Sequence, residues 1–391
     1  MADQPDWGFE NALDLPPPDA PLEASSLPAG GGVYALTDER GRVLLTLGTQ
    51  SLRRSVMHRL QAPPTDGPTR RVDLRAIARR LHWIPTHSVF ETYLVYLTTA
   101  RRLSPDRYRK DLAFGPVWFA RVDPSERFPR WEAGTVAFRG GVEIGPFAER
   151  GQCAAFIELL EDIFDLCRKH DILVQAPNGQ ACVYHEMGRC PAPCDGSVSL
   201  ETYHEQIGRS VDFAVGGHEF HLRMLEDRMR AAAAGQAFEQ AGRIKGLWER
   251  AARLLKRDGR LTLTPDRFRY LVVQRGGGTT RVRPFFVNAG VIEAGEPVSL
   301  RKLDETVPTW LHRVAQPGSD AAGDPVIRSE GIWLVSHFLG RGDKAPGVFL
   351  PVSSCGDATE AAQCIRDRLG RRDRSSENMR DTGAPAGDVE S

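Results

Sequence analysis

The chain has 391 residues, of which 41% are hydrophobic, and its 51 Lys and Arg residues are balanced by 51 Asp and Glu residues. That length accommodates two or three domains of ordinary size, and the zero net charge argues against a uniformly basic nucleic-acid-binding protein. The sequence contains no run of about 18 apolar residues, so it predicts no membrane span. The N-terminus lacks the basic region and apolar core of a secretion signal, so we expect a cytoplasmic protein with no membrane partner.

Charge is distributed unevenly along the chain. Residues 1–28 contain six acidic residues, no Lys or Arg and a run of three prolines, which predicts a disordered acidic leader. Residues 53–130 contain 16 Lys and Arg against seven Asp and Glu, an excess of nine positive charges. Such a segment is suited to contact nucleic-acid phosphates, and a solvated helical face is an equally good interpretation.

A small α/β domain is predicted over residues 29–147. Two β-rich runs flank the glycine-containing turn at 38–41, which indicates a β-hairpin. Ser51 is suited to cap the helix that follows it. The remaining elements of this block are predicted helices over 52–60 and 90–102 and short strands near 117–122 and 135–138.

Beyond this domain the pattern is mainly helical up to residue 257. An apolar stripe predicts a helix over 149–170, within a segment (148–198) that also contains a Pro- and Gly-rich cysteine loop. Ser199 is a predicted N-cap, and a break at Ala234–Gly235 divides residues 199–258 into two long helices. Because the connection is short, these helices are expected to pack as an antiparallel hairpin.

The C-terminal part returns to strand-like patterns. Residues 259–370 contain predicted strands at 270–274 and 281–287 and an amphipathic helix at 331–339, and residues 371–391 are a predicted disordered tail. The role of this C-terminal α+β domain does not follow from its sequence. The complete pattern predicts an α+β fold class.

Four of the seven cysteines lie within 28 residues, with the spacing C-x14-C-x7-C-x3-C. They are Cys167, Cys182, Cys190 and Cys194. A cytoplasmic protein does not normally use such thiols in disulfides, and clustered thiolates suit either tetrahedral zinc or an iron–sulfur cluster. Partly buried thiols without a metal are the alternative.

Several motifs in these segments resemble the UvrC family of the excinuclease ABC system over roughly residues 28–257. The matching residues are Gly32-Val33-Tyr34, Asp38 to Leu44, Ser51 to Val56, Phe128-Pro129-Arg130, Gly145-Pro146-Phe147, Cys182-Val183-Tyr184, Gly188 to Cys194, and Met229 to Arg243 with Phe238-Glu239-Gln240-Ala241. The first of these look like a GIY-YIG nuclease domain, and the last looks like the UVR helical hairpin. Five such matches in the family's order make the resemblance specific.

The resemblance implies a nuclease site that is degenerate in this chain. A GIY-YIG domain cleaves DNA with a hydrated Mg²⁺ or Mn²⁺ held by one glutamate, while tyrosines, a lysine and an arginine orient the nucleophile and stabilise charge. Tyr34 is retained. The other positions carry Leu45 or Thr46 for the second tyrosine, Gly48 or Thr49 for the lysine, Ser55 for the arginine, Tyr96 for the metal-binding glutamate and Arg109 for an asparagine.

Removing one group of this kind typically raises the barrier by about 2.7–4 kcal/mol, so a scaffold unable to cleave is favoured over an active nuclease. In an active version Glu91, or another acid such as Asp111, would have to replace the missing ligand. Magnesium or manganese is expected only in that case. The family's second, RNase H-like nuclease would not fit in the remaining C-terminal residues.

The resemblance also implies a cofactor and two partners. The four cysteines correspond to those associated with a four-iron four-sulfur cluster in the family, with zinc as the alternative, and Cys167 lies two residues from its expected place. UvrB, the excinuclease component onto which the family docks, is expected to bind the UVR-like hairpin through Phe238, Glu239 and Ala241, although Gly242 and Gly246 depart from the motif. DNA is expected to bind the basic segment. The DNA-binding candidates are Arg53, Arg54, Arg59, Arg101, Arg102 and Arg109.

Three functions therefore compete. The first is a nucleotide excision repair protein that binds DNA and UvrB without cutting. The second is an active structure-specific endonuclease that makes one metal-dependent incision. The third is an iron–sulfur scaffold or regulatory protein outside DNA repair.

Overall fold

A computed structural model describes residues 8–61, 72–257, 264–316, 323–354 and 357–370. Within these ranges the chain has the predicted α+β class, with three antiparallel sheets and helices between and around them. None of the described helices is both long enough and apolar enough to cross a membrane.

The first sheet has the strand order β1-β4-β2-β3. Its strands are β1 (Asn11–Asp14), β2 (Gly31–Thr37), β3 (Val43–Thr49) and β4 (Arg80–Thr86). The accompanying helices are α1 (Leu52–Arg59), α2 (Leu74–Ile77) and α3 (Val89–Leu103). The predicted hairpin is β2–β3, and its turn is held by the Asp38 carboxylate, which accepts the backbone N–H groups of Arg40 and Arg42, both at 2.9 Å.

The described part of the leader is ordered, so the prediction of disorder is wrong for residues 8–28. Strand β1 pairs with β4, and Leu15 and Leu27 are buried in the core beneath α1. The Arg53 guanidinium fixes the segment further by donating two hydrogen bonds to the Leu27 carbonyl, at 3.1 and 2.8 Å. The acidic composition concealed these apolar anchors. Residues 1–7 lie outside the described residues.

The second sheet has the order β6-β5-β7 and packs against helices that follow it in the chain. The elements are β5 (Trp118–Val122), β6 (Glu132–Gly134), β7 (Val142–Phe147), α4 (Arg150–Ile163), α5 (His170–Leu173) and α6 (Val183–Glu186). The strand predicted at 135–138 is displaced to β6. The helix predicted over 149–170 ends at Ile163, because Asp165 adopts a left-handed φ of 53°.

Three long helices follow: α7 (Leu200–Val215), α8 (His218–Ala234) and α9 (Phe238–Arg257). Ser199 caps α7 as predicted, accepting the Thr202 N–H at 3.1 Å. The expected break between α8 and α9 is present, and these two helices pack as the predicted hairpin. An additional break separates α7 from α8, since Gly216 has a φ of 142° that few other residues adopt.

The third sheet has the order β10-β9-β8-β12, with β11 paired to β9. Its elements are β8 (Arg269–Arg275), β9 (Arg281–Asn288), β10 (Val291–Ala294), β11 (Val298–Ser299) and β12 (Val348–Pro351), with α10 (Leu303–Ala315), α11 (Pro325–Leu339) and α12 (Ala358–Leu369). The predicted strands of this region are confirmed as β8 and β9. The helix predicted at 331–339 begins already at Pro325, and it is buried on most sides and not amphipathic. The tail predicted at 371–391 lies outside the described residues.

The buried cores do not follow the predicted boundaries at residues 147 and 259. Strands β5 and β7 share one core with α4 and with residues of α7, α8 and α9. Helix α3 shares another with β8, β9 and α11. The C-terminal domain is therefore built onto the N-terminal one, and the site below includes side chains from both.

Candidate functional site

Tyr34, the predicted nuclease tyrosine, lies on β2 and is completely buried. Its hydroxyl is 3.0 Å from Ser55 Oγ, the hydroxyl on α1 that occupies the family's arginine position. Burial raises the pKa of Tyr34, and the Ser55 hydrogen bond and the Arg59 charge oppose that rise. Tyr34 therefore lies in an apolar core, with the Ser55 hydroxyl as its hydrogen-bond partner and the Arg59 charge nearby.

The opposite face of the same sheet is covered by α3. A methyl group placed at Gly48 would lie 3.0 Å from Thr92 Cγ2 and 3.6 Å from Tyr96 Cβ. Tyr96, at the family's glutamate position, therefore packs against the strand position where a lysine or glycine is expected. Burial, with the nearby Asp111 charge, raises the pKa of Tyr96 to about 12. This phenol stays neutral at physiological pH and supplies no anionic ligand.

The sheet separates the retained tyrosine from α3. Gly48 pairs with Val33, and Val33 precedes Tyr34 on β2. Because successive strand residues point to opposite faces, Tyr34 lies on the α1 side while Thr92 and Tyr96 lie on the α3 side. The structure therefore does not bring Tyr34 and the α3 acid Glu91 together.

Glu91 is buried and its carboxylate is fully engaged. It accepts the backbone N–H of His87 at 2.7 Å, while its own N–H donates to Ser88 Oγ at 3.1 Å, forming a reciprocal cap at the start of α3. Its second oxygen pairs with the Arg283 guanidinium of β9. These contacts give Glu91 a structural function at the domain junction, and nothing in this geometry favours it as a substitute metal ligand.

A second buried acid, Glu330 of α11, organises the other end of α3. Its completely buried carboxylate receives hydrogen bonds from Arg101 at 2.6 Å, Tyr108 at 2.5 Å and Arg109 at 2.8 Å. Burial and the hydrogen bond to Glu330 raise the pKa of Tyr108. The Arg109 guanidinium also lies over the Trp333 ring, 5.6 Å from its centroid.

This network uses part of the positive charge of the segment predicted to bind DNA, and DNA binding by that segment stays a prediction. Arg101 and Arg109 are used internally by Glu330, and Arg53 by the Leu27 carbonyl. Arg109 is nevertheless exposed, as are Arg54 and Arg102, and Arg59 is half-buried. Part of the positive charge of residues 53–130 is therefore neutralised within the fold.

Sequence reasoning missed Glu330 and Arg283 because their partners are 192 to 229 residues away along the chain. One signal was present. Glu330 directly precedes the apolar run Gly331-Ile332-Trp333-Leu334-Val335, and a lone acid in an apolar helix normally has a buried partner.

The cysteine segment brings its four thiols into one neighbourhood. Cys167, Cys190 and Cys194 are buried and Cys182 is partly exposed. The Cys167 thiol donates a hydrogen bond to the Lys169 carbonyl at 3.4 Å. Its interaction with the neighbouring Cys190 thiol raises the pKa of Cys167 and lowers that of Cys190. Burial, with the charges of Cys190, Asp195 and Cys182, raises the pKa of Cys194. The thiols therefore influence one another's ionisation.

The donor set suits a soft metal or an iron–sulfur cluster chemically, because all four side chains are thiols and lie within one segment of 28 residues. Within the described ranges, however, no three His, Cys, Asp or Glu side chains are grouped closely enough to hold a metal ion. Binding would therefore require these side chains to turn toward a common centre.

Charged side chains connect the cysteine segment to the helical hairpin. Arg168 pairs with Asp162, and its guanidinium donates to the Arg189 carbonyl at 2.9 Å. The other Asp162 oxygen accepts a hydrogen bond from Arg250 of α9 at 2.8 Å. Burial raises the pKa of the neighbouring Glu161 to about 7. The cysteine loop and α9 therefore share one ion-pair network.

The predicted partner-binding residues lie at the surface of the hairpin. The Phe238 side chain, at the start of α9, is 69% exposed, Glu239 is exposed and Ala241 is half-buried. Methyl groups at Gly242 and Gly246 would meet no atom within 4 Å. This face of α9 is therefore open.

Comparison with known proteins supports the resemblance seen in the sequence. Residues 117–213 match the family model described as the UvrC/Cho excinuclease middle domain. That match begins at β5 and includes the cysteine segment and α7, in agreement with the shared core of these elements. No solved structure matches the chain significantly.

Curated relatives extend the similarity. UvrABC system protein C of Syntrophotalea carbinolica is 26% identical over 300 residues, which are 75% of this chain and 48% of the relative. The proteins of the same name from Trichlorobacter lovleyi and Methanosarcina mazei are 29% and 28% identical over 57% of this chain, and 36% and 41% of their own lengths. The chain is UvrC-like and spans at most about half the length of these relatives.

The Glu91–Arg283 pair should behave as one energetic unit. We expect Glu91→Gln and Arg283→Gln each to lower the free energy of unfolding by about 3 kcal/mol, because either change leaves a buried partner unpaired. The double variant should lose less than the sum, with a coupling energy of about 0.5–3 kcal/mol. Urea denaturation followed by circular dichroism measures all three.

The exposed Glu293–Arg313 pair provides a matched control cycle in the same domain, with an expected coupling below about 1 kcal/mol. Strictly additive effects of the Glu91 and Arg283 substitutions would contradict the structural assignment of Glu91.

Proposed function

We propose that this chain is a UvrC-like nucleotide excision repair protein that binds DNA and the excinuclease component UvrB and does not itself cut DNA. One observation carries the non-cleaving part of the proposal. Tyr96 occupies the predicted metal-binding glutamate position and packs on Gly48, while Glu91, the retained acid on the same helix, is paired with Arg283. Without the glutamate, a hydrated metal loses the ligand that the family uses. Asp111, whose charge lies near Tyr96, is the acid that an active version would have to use instead.

Loss of the cationic groups supports the same conclusion. Ser55 in the predicted arginine position and Gly48 or Thr49 in the predicted lysine position remove both cations that the family uses to stabilise charge on a phosphate in the transition state. The active-endonuclease alternative would require Glu91 to leave both Arg283 and the His87 N–H. The geometry therefore favours a binding protein.

The name of the curated relatives, UvrABC system protein C, refers to a system of several proteins. Among the described elements, the hairpin of α8 and α9 is the best candidate for docking one of them. The Phe238 side chain of this hairpin is exposed to solvent, and a large aromatic side chain of this kind typically anchors an interface. We infer that UvrB covers this side chain.

The cysteine segment completes the proposal with a four-iron four-sulfur cluster held by Cys167, Cys182, Cys190 and Cys194, or zinc as the alternative. When bound, such a group would fix the loop between α4 and α7. Through Arg168, Asp162 and Arg250 the loop also contacts α9. The cluster's expected contribution is thus a rigid base for the hairpin.

The cofactor proposal predicts an iron-loaded protein. Anaerobically purified chain should be brown, absorb in the visible range and contain iron and acid-labile sulfide, and Cys190→Ser should lose both. Cys364→Ser is the matched control, because Cys364 is exposed and lies on α12, outside the cysteine segment. Colourless protein with stoichiometric zinc, or iron retained by Cys190→Ser, would overturn the cluster assignment.

The docking proposal predicts a complex with purified UvrB. Phe238→Ala should weaken the affinity by about tenfold to a hundredfold, since burying a Phe side chain contributes about 1.5–3 kcal/mol. Phe220→Ala, at the exposed start of α8, is the control and should leave it unchanged. Titration calorimetry measures both. No complex with the wild-type chain, or equal losses for the two variants, would sink the assignment of this face.

A further inference from the structure

A cationic surface lies at one end of the C-terminal sheet, around the turn that joins β8 to β9. The turn Gly276-Gly277-Gly278-Thr279-Thr280 runs between Arg275 and Arg281. Gly277 and Gly278 have φ values of 87° and 81°, which require glycine in so tight a turn. Residues 278–281 are exposed, so the tip presents backbone, hydroxyl and guanidinium groups to solvent.

A second basic turn lies directly beside this tip. The Leu300 N–H donates to the Thr280 carbonyl at 2.9 Å, and Ser299 of β11 pairs with Arg281 of β9. These contacts place the turn Leu300–Lys302 next to the tip. Arg301 and Lys302 are both exposed. Two segments thus contribute cations to the same end of the sheet.

Three of these cations, Arg281, Arg301 and Lys302, form no ion pair with a described carboxylate. The Arg281 guanidinium donates one hydrogen bond, to the Pro297 carbonyl at 2.8 Å, and forms no ion pair with a described carboxylate. Neither Arg301 nor Lys302 forms an ion pair within the described ranges. They differ in this respect from Arg101 and Arg109, which Glu330 neutralises.

Nearby acids are mostly engaged elsewhere. Glu293 pairs with Arg313 at 2.6 Å, and Asp304 accepts two hydrogen bonds from Arg366, both at 2.9 Å. Glu296 and Glu305 are the remaining exposed acids of residues 275–305. The surface therefore carries more positive than negative charge. Within it, the Arg275 guanidinium donates a hydrogen bond to the Thr279 carbonyl at 2.8 Å.

The chemistry of the surface fits a duplex phosphate backbone. Arg and Lys side chains, Thr hydroxyls and backbone N–H groups of a glycine-rich turn are the groups that contact DNA phosphates. Residues 275–283 and 298–302 contain no Phe, Tyr or Trp. Single strands are usually held by stacking of bases on aromatic rings, so the composition favours double-stranded DNA.

We propose that the β8–β9 tip, together with Arg301 and Lys302, is a contact surface for the phosphate backbone of duplex DNA. The inference rests on the DNA-binding part of the proposed function and gives the C-terminal domain a function. A methyl group at Gly277 would lie 3.5 Å from the His87 ring, just before α3. Duplex bound at the tip therefore lies at the junction with the N-terminal domain.

The test is fluorescence anisotropy of the full chain with a 30-base-pair duplex across a range of salt concentrations. Each lost phosphate contact lowers the slope of log K against log salt by about 0.9. The triple variant Arg281→Ala, Arg301→Ala, Lys302→Ala should therefore lose about two to three units of slope and bind at least about tenfold more weakly at low salt, equally for all sequences. Its melting temperature should be unchanged.

Arg267→Ala is the control, because this exposed residue precedes β8 at the end of the strand away from the tip. It should keep the wild-type slope. A triple variant with wild-type slope and affinity overturns the surface while leaving the DNA-binding proposal intact. The same assay is run with a single strand of the same length. A triple variant that loses affinity for the single strand but not for the duplex also overturns the proposed surface. Wild-type chain without salt-sensitive DNA binding overturns both proposals.

Discussion

Helix α3 packs on both sides, and the rest of the structure depends on this constraint. One side carries Thr92 and Tyr96 and lies against the N-terminal sheet at Gly48. The other carries Phe90, whose ring makes edge contacts with Phe285 and Phe338 at centroid distances of 5.1 and 5.3 Å. A fully buried aromatic side chain of this kind contributes several kcal/mol to folding. Side chains of α3 that contact the C-terminal domain are not available to line an open nuclease cleft on the same helix.

Ion pairs between charged side chains also join the two domains. Glu91 and Glu330 sit at the two places where the C-terminal domain meets the N-terminal one, and each neutralises arginines that would otherwise face solvent. Buried carboxylates persist only when paired. Two arginines of the N-terminal domain, Arg101 and Arg109, thus pair with Glu330 and help to join the domains. At the β8–β9 tip, Arg281, Arg301 and Lys302 are exposed and form no ion pair with a described carboxylate, which is why we place duplex contacts there.

Local features were predictable from the sequence, whereas the site was not. The β2–β3 hairpin, the Ser199 cap and the α8–α9 hairpin follow from turn residues and periodicity within short windows. The ordered leader and the Glu330 network depend on contacts between distant segments, which no window contains. Retention of Tyr34 was visible in the sequence, but its separation from α3 by the sheet required the strand register.

The central claim is that this chain binds DNA without cutting it, and an incision assay tests it most directly. Purified wild-type chain, shown in the same preparation to bind duplex, is incubated with nicked and lesion-bearing duplex and Mg²⁺ or Mn²⁺, with and without UvrB. The account predicts no incision above a metal-free control. Metal-dependent incision that is abolished by Tyr34→Phe or Glu91→Gln would contradict it.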